Sequence, residues 1–142
     1  MSIWKREINL ERLNALRKNT LVGTLGIEVT DFGDDYVTAR MPVDKRTHQP
    51  MGMLHGGASV SLAETVGSLA ATMAVDENYY CVGLEINANH LKSTKDGHVH
   101  AKATPIHIGR STQVWDIKIE NDAKQLVCAS RLTMAVLKRK SI

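Results

Sequence analysis

Aromatic residues are scarce, 4% of 142 residues. Trp4, Phe32, Tyr36, Tyr79, Tyr80 and Trp115 are too few to build the stacking platforms that hold single-stranded nucleic acid, so the core must be aliphatic. Neither sign of charge dominates: 18 basic residues face 15 acidic ones, and a net charge of +3 gives little long-range steering toward DNA. The two cysteines, Cys81 and Cys128, lack CxxC spacing and lie in apolar runs, which predicts reduced, buried thiols and a cytoplasmic location. No run approaches the roughly 18 apolar residues that cross a bilayer, and the N-terminal MSIWKREINL has no apolar signal core. The chain is therefore expected to be neither exported nor membrane-spanning. Linkers, repeats and low-complexity segments are lacking too, so residues 1–142 are expected to form one domain, long enough to bury about 68–70% of its unfolded surface.

Periodicity supplies the elements. Asn9 can cap a short amphipathic helix over 9–19, with Leu10, Leu13 and Leu16 on one side and Gly23 and Gly26 punctuating its end. Two strands, 27–32 and 36–43, flank a Gly33-Asp34-Asp35 turn, with Val37, Ala39, Met41 and Val43 facing inward. A loop over 45–54 leads to a helix from about Ala58 to Val75, whose small and aliphatic residues predict burial on most sides. Four strands follow: 80–93, 98–108, 112–120 and 125–138. Inward alternation is expected at Val82, Leu84, Ile86 and Ala88, at Trp115, Ile117 and Ile119, and at Leu126, Cys128, Leu132, Met134 and Val136. Their short connections, including Lys95-Asp96-Gly97, predict that consecutive strands are antiparallel neighbours. The order α-β-β-α-β-β-β-β predicts an α+β fold in which a curved antiparallel sheet wraps the long helix.

Glu64 lies in the middle of that helix. A buried carboxylate must be paired, protonated or at work in a cavity, because burying an unpaired charge costs several kcal/mol. Ser61, Thr65, Ser68 and Thr72 complete a polar stripe with it, suited to a cleft or a subunit interface. The alternative is that Glu64 faces solvent on an ordinary amphipathic helix. Just before the helix, His55-Gly56-Gly57 can present unpaired N–H groups to an anion or a developing oxyanion, or can serve only as a flexible joint. Glu64 stands eight residues beyond Gly56, roughly 12 Å along the axis. One helix cannot bring both to one carbonyl. A two-fold dimer of antiparallel helices, each cleft taking Gly56 from one chain and Glu64 from the other, is inferred.

Gln49-Pro-Met-Gly-Met-Leu-His55-Gly56-Gly57, then Leu62-Ala63-Glu64-Thr65 with Gly67 and Ser68, then Asn87-Ala-Asn-His90 and Gly109-Arg110 resemble the hotdog-fold acyl-CoA thioesterases. The similarity runs from about Leu21 to Leu137 and is to the branch acting on aromatic acyl-CoA thioesters. That branch includes glutamate-using 4-hydroxybenzoyl-CoA thioesterases, the 1,4-dihydroxy-2-naphthoyl-CoA thioesterases of menaquinone synthesis, and relatives that clear misloaded aryl carrier proteins in siderophore synthesis. The resemblance implies a hotdog fold and dimers, often paired into tetramers. Glu64 would then be the catalytic carboxylate, as general base on water or as nucleophile through an anhydride. Gln49 would hydrogen-bond the thioester carbonyl or order the water, His55 would position the thioester, and the Gly56 N–H would polarise its carbonyl. Ser68, one turn beyond Glu64, would bond the carboxylate or the acyl ring. Coenzyme A contacts are expected from His90, Leu91, Lys92 and Ser93 at one strand end and from His107, Gly109, Arg110, Ser111 and Thr112 around the next turn. Gly83, opposite small residues of a neighbouring strand, would leave room for the pantetheine arm. The acyl pocket would draw on Ser61, Ser68, Leu69 and Thr72.

Coenzyme A enters only as part of the substrate, and no other cofactor is implied. His48, His55, His90, His98, His100 and His107 form no recognisable metal-ligand spacing. HGGAS is not a GxSxG elbow. Competing functions are a hotdog dehydratase or hydratase, for which His55 would be the base, and a non-enzymatic acyl-CoA sensor. The basic 138–140 segment is expected to be a solvated tail.

Overall fold

A computed structural model describes residues 1–140. The element order is α1 (Leu10–Ala15), α2 (Leu21–Thr24), β1 (Glu28–Phe32), β2 (Val37–Pro42), α3 (Gly56–Met73), β3 (Tyr79–His90), β4 (His98–Ile108), β5 (Thr112–Asn121) and β6 (Leu126–Lys138). The strands form one antiparallel sheet in the order β1-β2-β4-β5-β6-β3, with α3 packed against five of them. This is the hotdog fold.

Alternation explains the strands well. Val37, Ala39 and Met41 on β2, and Trp115, Ile117 and Ile119 on β5, are buried while the residues between them are more exposed. On α3, Leu62, Ala63, Val66, Gly67, Ala70 and Ala71 recur at spacings of three and four and bury one face against the sheet. Gly67 allows the closest approach: a Cβ there would lie 2.6 Å from Leu132 Cδ2. The N-terminus clamps the far end. Trp4 stacks on Trp115 at 6.2 Å and donates its indole N–H to Gly33 O at 2.7 Å, while Arg6 Nε donates to Val75 O at 2.9 Å, just past the end of α3.

Three expectations are corrected. First, β3 is not the neighbour of β4; it pairs with β6, and β4 inserts between β2 and β5. The segment 91–97 is a crossover, not a hairpin turn. Leu91 and Lys92 donate to Val127 O, Leu54 donates to Thr94 O, and Val43 donates to Gly97 O. Seven extended residues span about 23 Å, ample for three strand spacings of about 4.8 Å each.

Second, a β-bulge between Gly83 and Glu85 resets the alternation of β3. Ile86 and Ala88 pack on the core as expected, but Val82 is 41% and Leu84 60% exposed. A matching irregularity between Ile119 and Glu120 leaves Leu126 exposed and buries Val127 and Cys128 in succession. Gly83 also faces Met134, not a small residue.

Third, the first helix is shorter than 9–19. Asn9 does cap it, accepting from the Arg12 N–H at 3.1 Å, but the helix ends at Ala15 and Asn19 adopts a left-handed φ of 61°. Thr20 then caps a second short helix, α2, where glycines alone suggested only punctuation. At α3 the two glycines belong to the first turn, so the helix begins at Gly56 instead of Ala58.

Candidate active site

His55 is the N-cap of α3. Its Nδ1 accepts the Gly57 N–H at 2.7 Å, which fixes a neutral ring as the Nε2–H tautomer and leaves that N–H as a donor. The Gly56 N–H, at the positive end of an 18-residue helix, has no protein acceptor among the described residues. His90 lies directly against it: a Cβ on Gly56 would sit 2.9 Å from His90 Nε2. Gln49 turns its side-chain oxygen onto the Met51 N–H, so its amide NH2 is left to donate elsewhere.

Gln49, Gly56, His90, Leu91, Lys92 and Ser93 line one cleft of about 390 Å³, whereas His55 is not part of its lining. The structure thus gathers six of the residues expected from the sequence. His90 ends β3, while Lys92 and Ser93 fall in the crossover.

Glu64 stands apart from that cleft. It is half-buried on the exposed stripe of α3 and accepts no hydrogen bond among the described residues. It lines two spaces at once. One is a groove of about 580 Å³ bordered by Ser61, Thr65, Ser68, Leu69 and Thr72; the other, of about 320 Å³, lies against Gly83–Ile86 of β3. Gly83 lies beside the carboxylate: a Cβ there would come within 3.7 Å of Glu64 Oε2, an ordinary van der Waals contact. Ser68 does not bond Glu64 as its spacing suggested. Its hydroxyl is aimed at Met134 Sδ, 3.8 Å away. The hydroxyls of Ser61 and Thr72 are turned back onto the helix, donating to Gly57 O and Ser68 O.

The remaining expected residues lie at the opposite end of α3. Gly109 and Arg110 line a small cleft with Lys5, Ala74, Val75 and Tyr79, His107 packs on Gly109, and Ser111 accepts the Val136 N–H in the same turn. Thr112 closes that turn by accepting from Gly109.

Sequence reasoning missed the far wall of the large groove. Leu13, Asn14, Leu16, Arg17, Leu21 and Val22 face α3 across it, with Ile27 and Val29. Glu64 is the one carboxylate in this lining. The available signal was that Asn14 and Arg17 follow Leu10 at i+4 and i+7, so two polar side chains share a helix face with leucines.

Burial pushes the Cys81 and Cys128 thiols up, which keeps them protonated and out of nucleophilic chemistry. His100 lies 2.7 Å from Asp122, which also accepts the His98 N–H, and these contacts hold the Asp122 carboxyl below its ordinary value while tying β4 to the β5–β6 turn. Arg46 holds Asp44 at about 2.

A half-buried carboxylate in an apolar groove and unpaired donors at a helix start are the two parts that hydrolysis of an activated acyl group requires. The family model for the thioesterase superfamily matches residues 51–128, and the chain belongs to that superfamily; it is a thioesterase. It is 50% identical over 135 residues to the 1,4-dihydroxy-2-naphthoyl-CoA hydrolase of Escherichia coli K12, covering 95% of this chain and 99% of that one. To the proofreading thioesterase EntH of Cronobacter turicensis it is 49% identical, covering 95% and 98%. It superposes on the crystal structure of a thioesterase from Haemophilus influenzae with a TM-score of 0.94 at 52% identity, over 96% of this chain and 95% of that one. Among the described residues no helix is long and apolar enough to cross a membrane.

Proposed function

We propose that the chain hydrolyses an aromatic acyl-CoA thioester at a site shared between two copies of itself, with Glu64 as the working carboxylate. The observation that carries this is the apolar groove in which Glu64 is the sole acid, set about 12 Å along α3 from the free Gly56 N–H. One chain holds the carboxylate and the donors too far apart for one carbonyl. Antiparallel packing of two α3 helices would bring the Glu64 of one against the Gln49, His55 and Gly56 of the other. It would also bring the Arg110 turn, at the C-terminal end of one helix, toward Lys92 and Ser93 at the N-terminal end of its partner, supplying donors for coenzyme A phosphates.

Support for the dimer comes from β3, an edge strand with exposed Val82 and Leu84 and a free row of backbone groups. Two dimers would form a tetramer by covering further apolar side chains such as Ile108 and Leu137, each 40% exposed.

In the proposed reaction, Gln49 and Gly56 donate to the carbonyl oxygen, and His55 orients the thioester through Nε2–H. Glu64 either takes a proton from the attacking water or attacks the carbonyl itself, forming an anhydride that water then opens. Either way the C–S bond breaks and the sulfur leaves as thiolate and is protonated. The second carboxyl oxygen of the free acid comes from water directly, or from Glu64 when water opens the anhydride at the Glu64 carbon and restores the carboxylate with its own oxygen. No cofactor is needed. Ser68, beside Glu64 in the groove, meets the acyl ring. The unpaired thiols fit a cytoplasmic location.

The E. coli relative supports a dihydroxynaphthoyl substrate and a place in menaquinone synthesis. The EntH relative supports an aryl group borne on a carrier protein as the second candidate, since both thioesters present the same pantetheine arm. Thiol release from benzoyl-, dihydroxynaphthoyl- and medium-chain acyl-CoAs tests the assignment. Aromatic thioesters are expected to lead medium-chain ones by about tenfold or more in kcat/KM, roughly 1.4 kcal/mol of transition-state preference. Equal or reversed ranking contradicts the aromatic assignment, and cleavage of none of them contradicts hydrolysis of free acyl-CoA.

A further inference from the structure

The wall of the large groove opposite α3 is held by few contacts. Helix α1 buries none of its residues and packs on β1, the outer strand of the sheet. Asn14 makes the tie. Its Nδ2 donates to Val29 O at 2.9 Å, and its Oδ1 accepts the Val29 N–H at 2.8 Å. The side-chain amide therefore stands in for a peptide group of a further strand, satisfying an outward-facing residue of the β1 edge. Arg17 adds a third bond, from Nη1 to Ile27 O at 2.9 Å. Beyond these ties the groove wall is aliphatic. Leu13 and Val22 are half-buried, whereas Leu16 is 73% and Leu21 63% exposed at the rim.

Such a wall has two consequences. Its distance from Glu64 sets how thick an acyl group can lie between them. That distance depends on the two amide hydrogen bonds, because Leu10, at the far end of α1 from the groove wall, is the one α1 side chain packed on the core. We propose that residues 13–22 form the acyl-recognition wall of the site and that Asn14 is the positioning residue that sets its spacing from α3. This rests on the assignment of the groove to the acyl group. The wall is expected to clamp a flat, apolar acyl group between its leucines and the Glu64 face of α3. A short acyl group such as acetyl does not reach the wall and is indifferent to it.

Asn14→Asp is the informative variant. Aspartate keeps the size and the acceptor for the Val29 N–H, but it cannot donate and sets a carboxylate oxygen against the Val29 carbonyl. The ratio of kcat/KM for benzoyl-CoA over acetyl-CoA is expected to fall about tenfold, mostly through KM for benzoyl-CoA, while Asn14→Gln recovers part of it. Leu16→Ser serves as a second variant, because a side chain 73% exposed carries little of the folding energy. It is expected to lower the same ratio about threefold to tenfold with an unchanged melting temperature.

A purely structural role would lower activity on both substrates in proportion, in step with the melting temperature. That result, or an unchanged ratio in Leu16→Ser, overturns the proposal. Error in the groove assignment shows itself differently, as a Glu64→Gln enzyme that still hydrolyses benzoyl-CoA.

Discussion

Glu64→Gln is expected to lower kcat for thioester hydrolysis by about 10³-fold or more, roughly 4 kcal/mol of transition-state stabilisation, with KM nearly unchanged. Glutamine fills the same half-buried space beside Gly83, but it can neither take a proton from water nor attack the carbonyl. Glu64 accepts no hydrogen bond from the described residues, so its replacement should leave folding stability within about 0.5 kcal/mol. Steady-state thiol release together with thermal unfolding separates the two effects. A folded variant retaining activity within tenfold of wild type removes Glu64 from the chemistry. Single turnover in ¹⁸O-labelled water bears on the two roles: label appearing on Glu64 marks a nucleophile whose anhydride is opened at the Glu64 carbon, whereas label only in the product acid is shared by general-base attack and by an anhydride opened at the acyl carbon.

The next largest effect is expected at Gln49. Removing one donor to a developing oxyanion typically costs about 10²-fold to 10³-fold in kcat. The Gln49 side-chain oxygen is tied to the Met51 N–H, so the NH2 group is the part presented to substrate. Gln49→Ala and Gln49→Glu should therefore lose activity alike, about 10²-fold or more, although glutamate can still hold the Met51 N–H. Full activity in Gln49→Glu would show that the side chain merely shapes its loop. The contrast matters because the cleft holding Gln49 also holds Gly56 and His90, and a collapsed loop would disturb all three.

The polar stripe of α3, the His55-Gly56-Gly57 start and the long strands were legible because each depends on local periodicity or on backbone freedom at a helix end. Strand order was not. The β3–β6 pairing comes from a crossover whose seven residues look like any short turn, and only tertiary hydrogen bonds to Val127, Leu54 and Val43 reveal its path. Val82 and Leu84 were misplaced for a related reason, since the bulge at Gly83–Glu85 changes face without a strong sequence mark.

At the site, Gln49 and Gly56, expected at the thioester carbonyl, lie with the His90–Ser93 run expected at coenzyme A, whereas the Gly109–Arg110 turn expected beside that run lies at the other end of α3. The hydrogen bond from Ser68 to Glu64 is absent because Met134 Sδ takes that hydroxyl. The groove wall escaped notice because α1 and α2 are too short and too exposed to signal burial. What holds α1 in place is a side-chain amide acting as a strand, a contact that no periodicity encodes.

The shared site is tested most directly by complementation. Glu64→Gln and Gln49→Ala chains, each nearly inactive alone, are co-expressed with different tags and purified through both. If each cleft takes Glu64 from one chain and Gln49 from the other, a mixed dimer holds one intact site and one doubly defective site, and activity should return to about half of wild type. Activity no higher than that of the parents would contradict the account, because it would mean that Glu64 and Gln49 serve the same carbonyl from within a single chain.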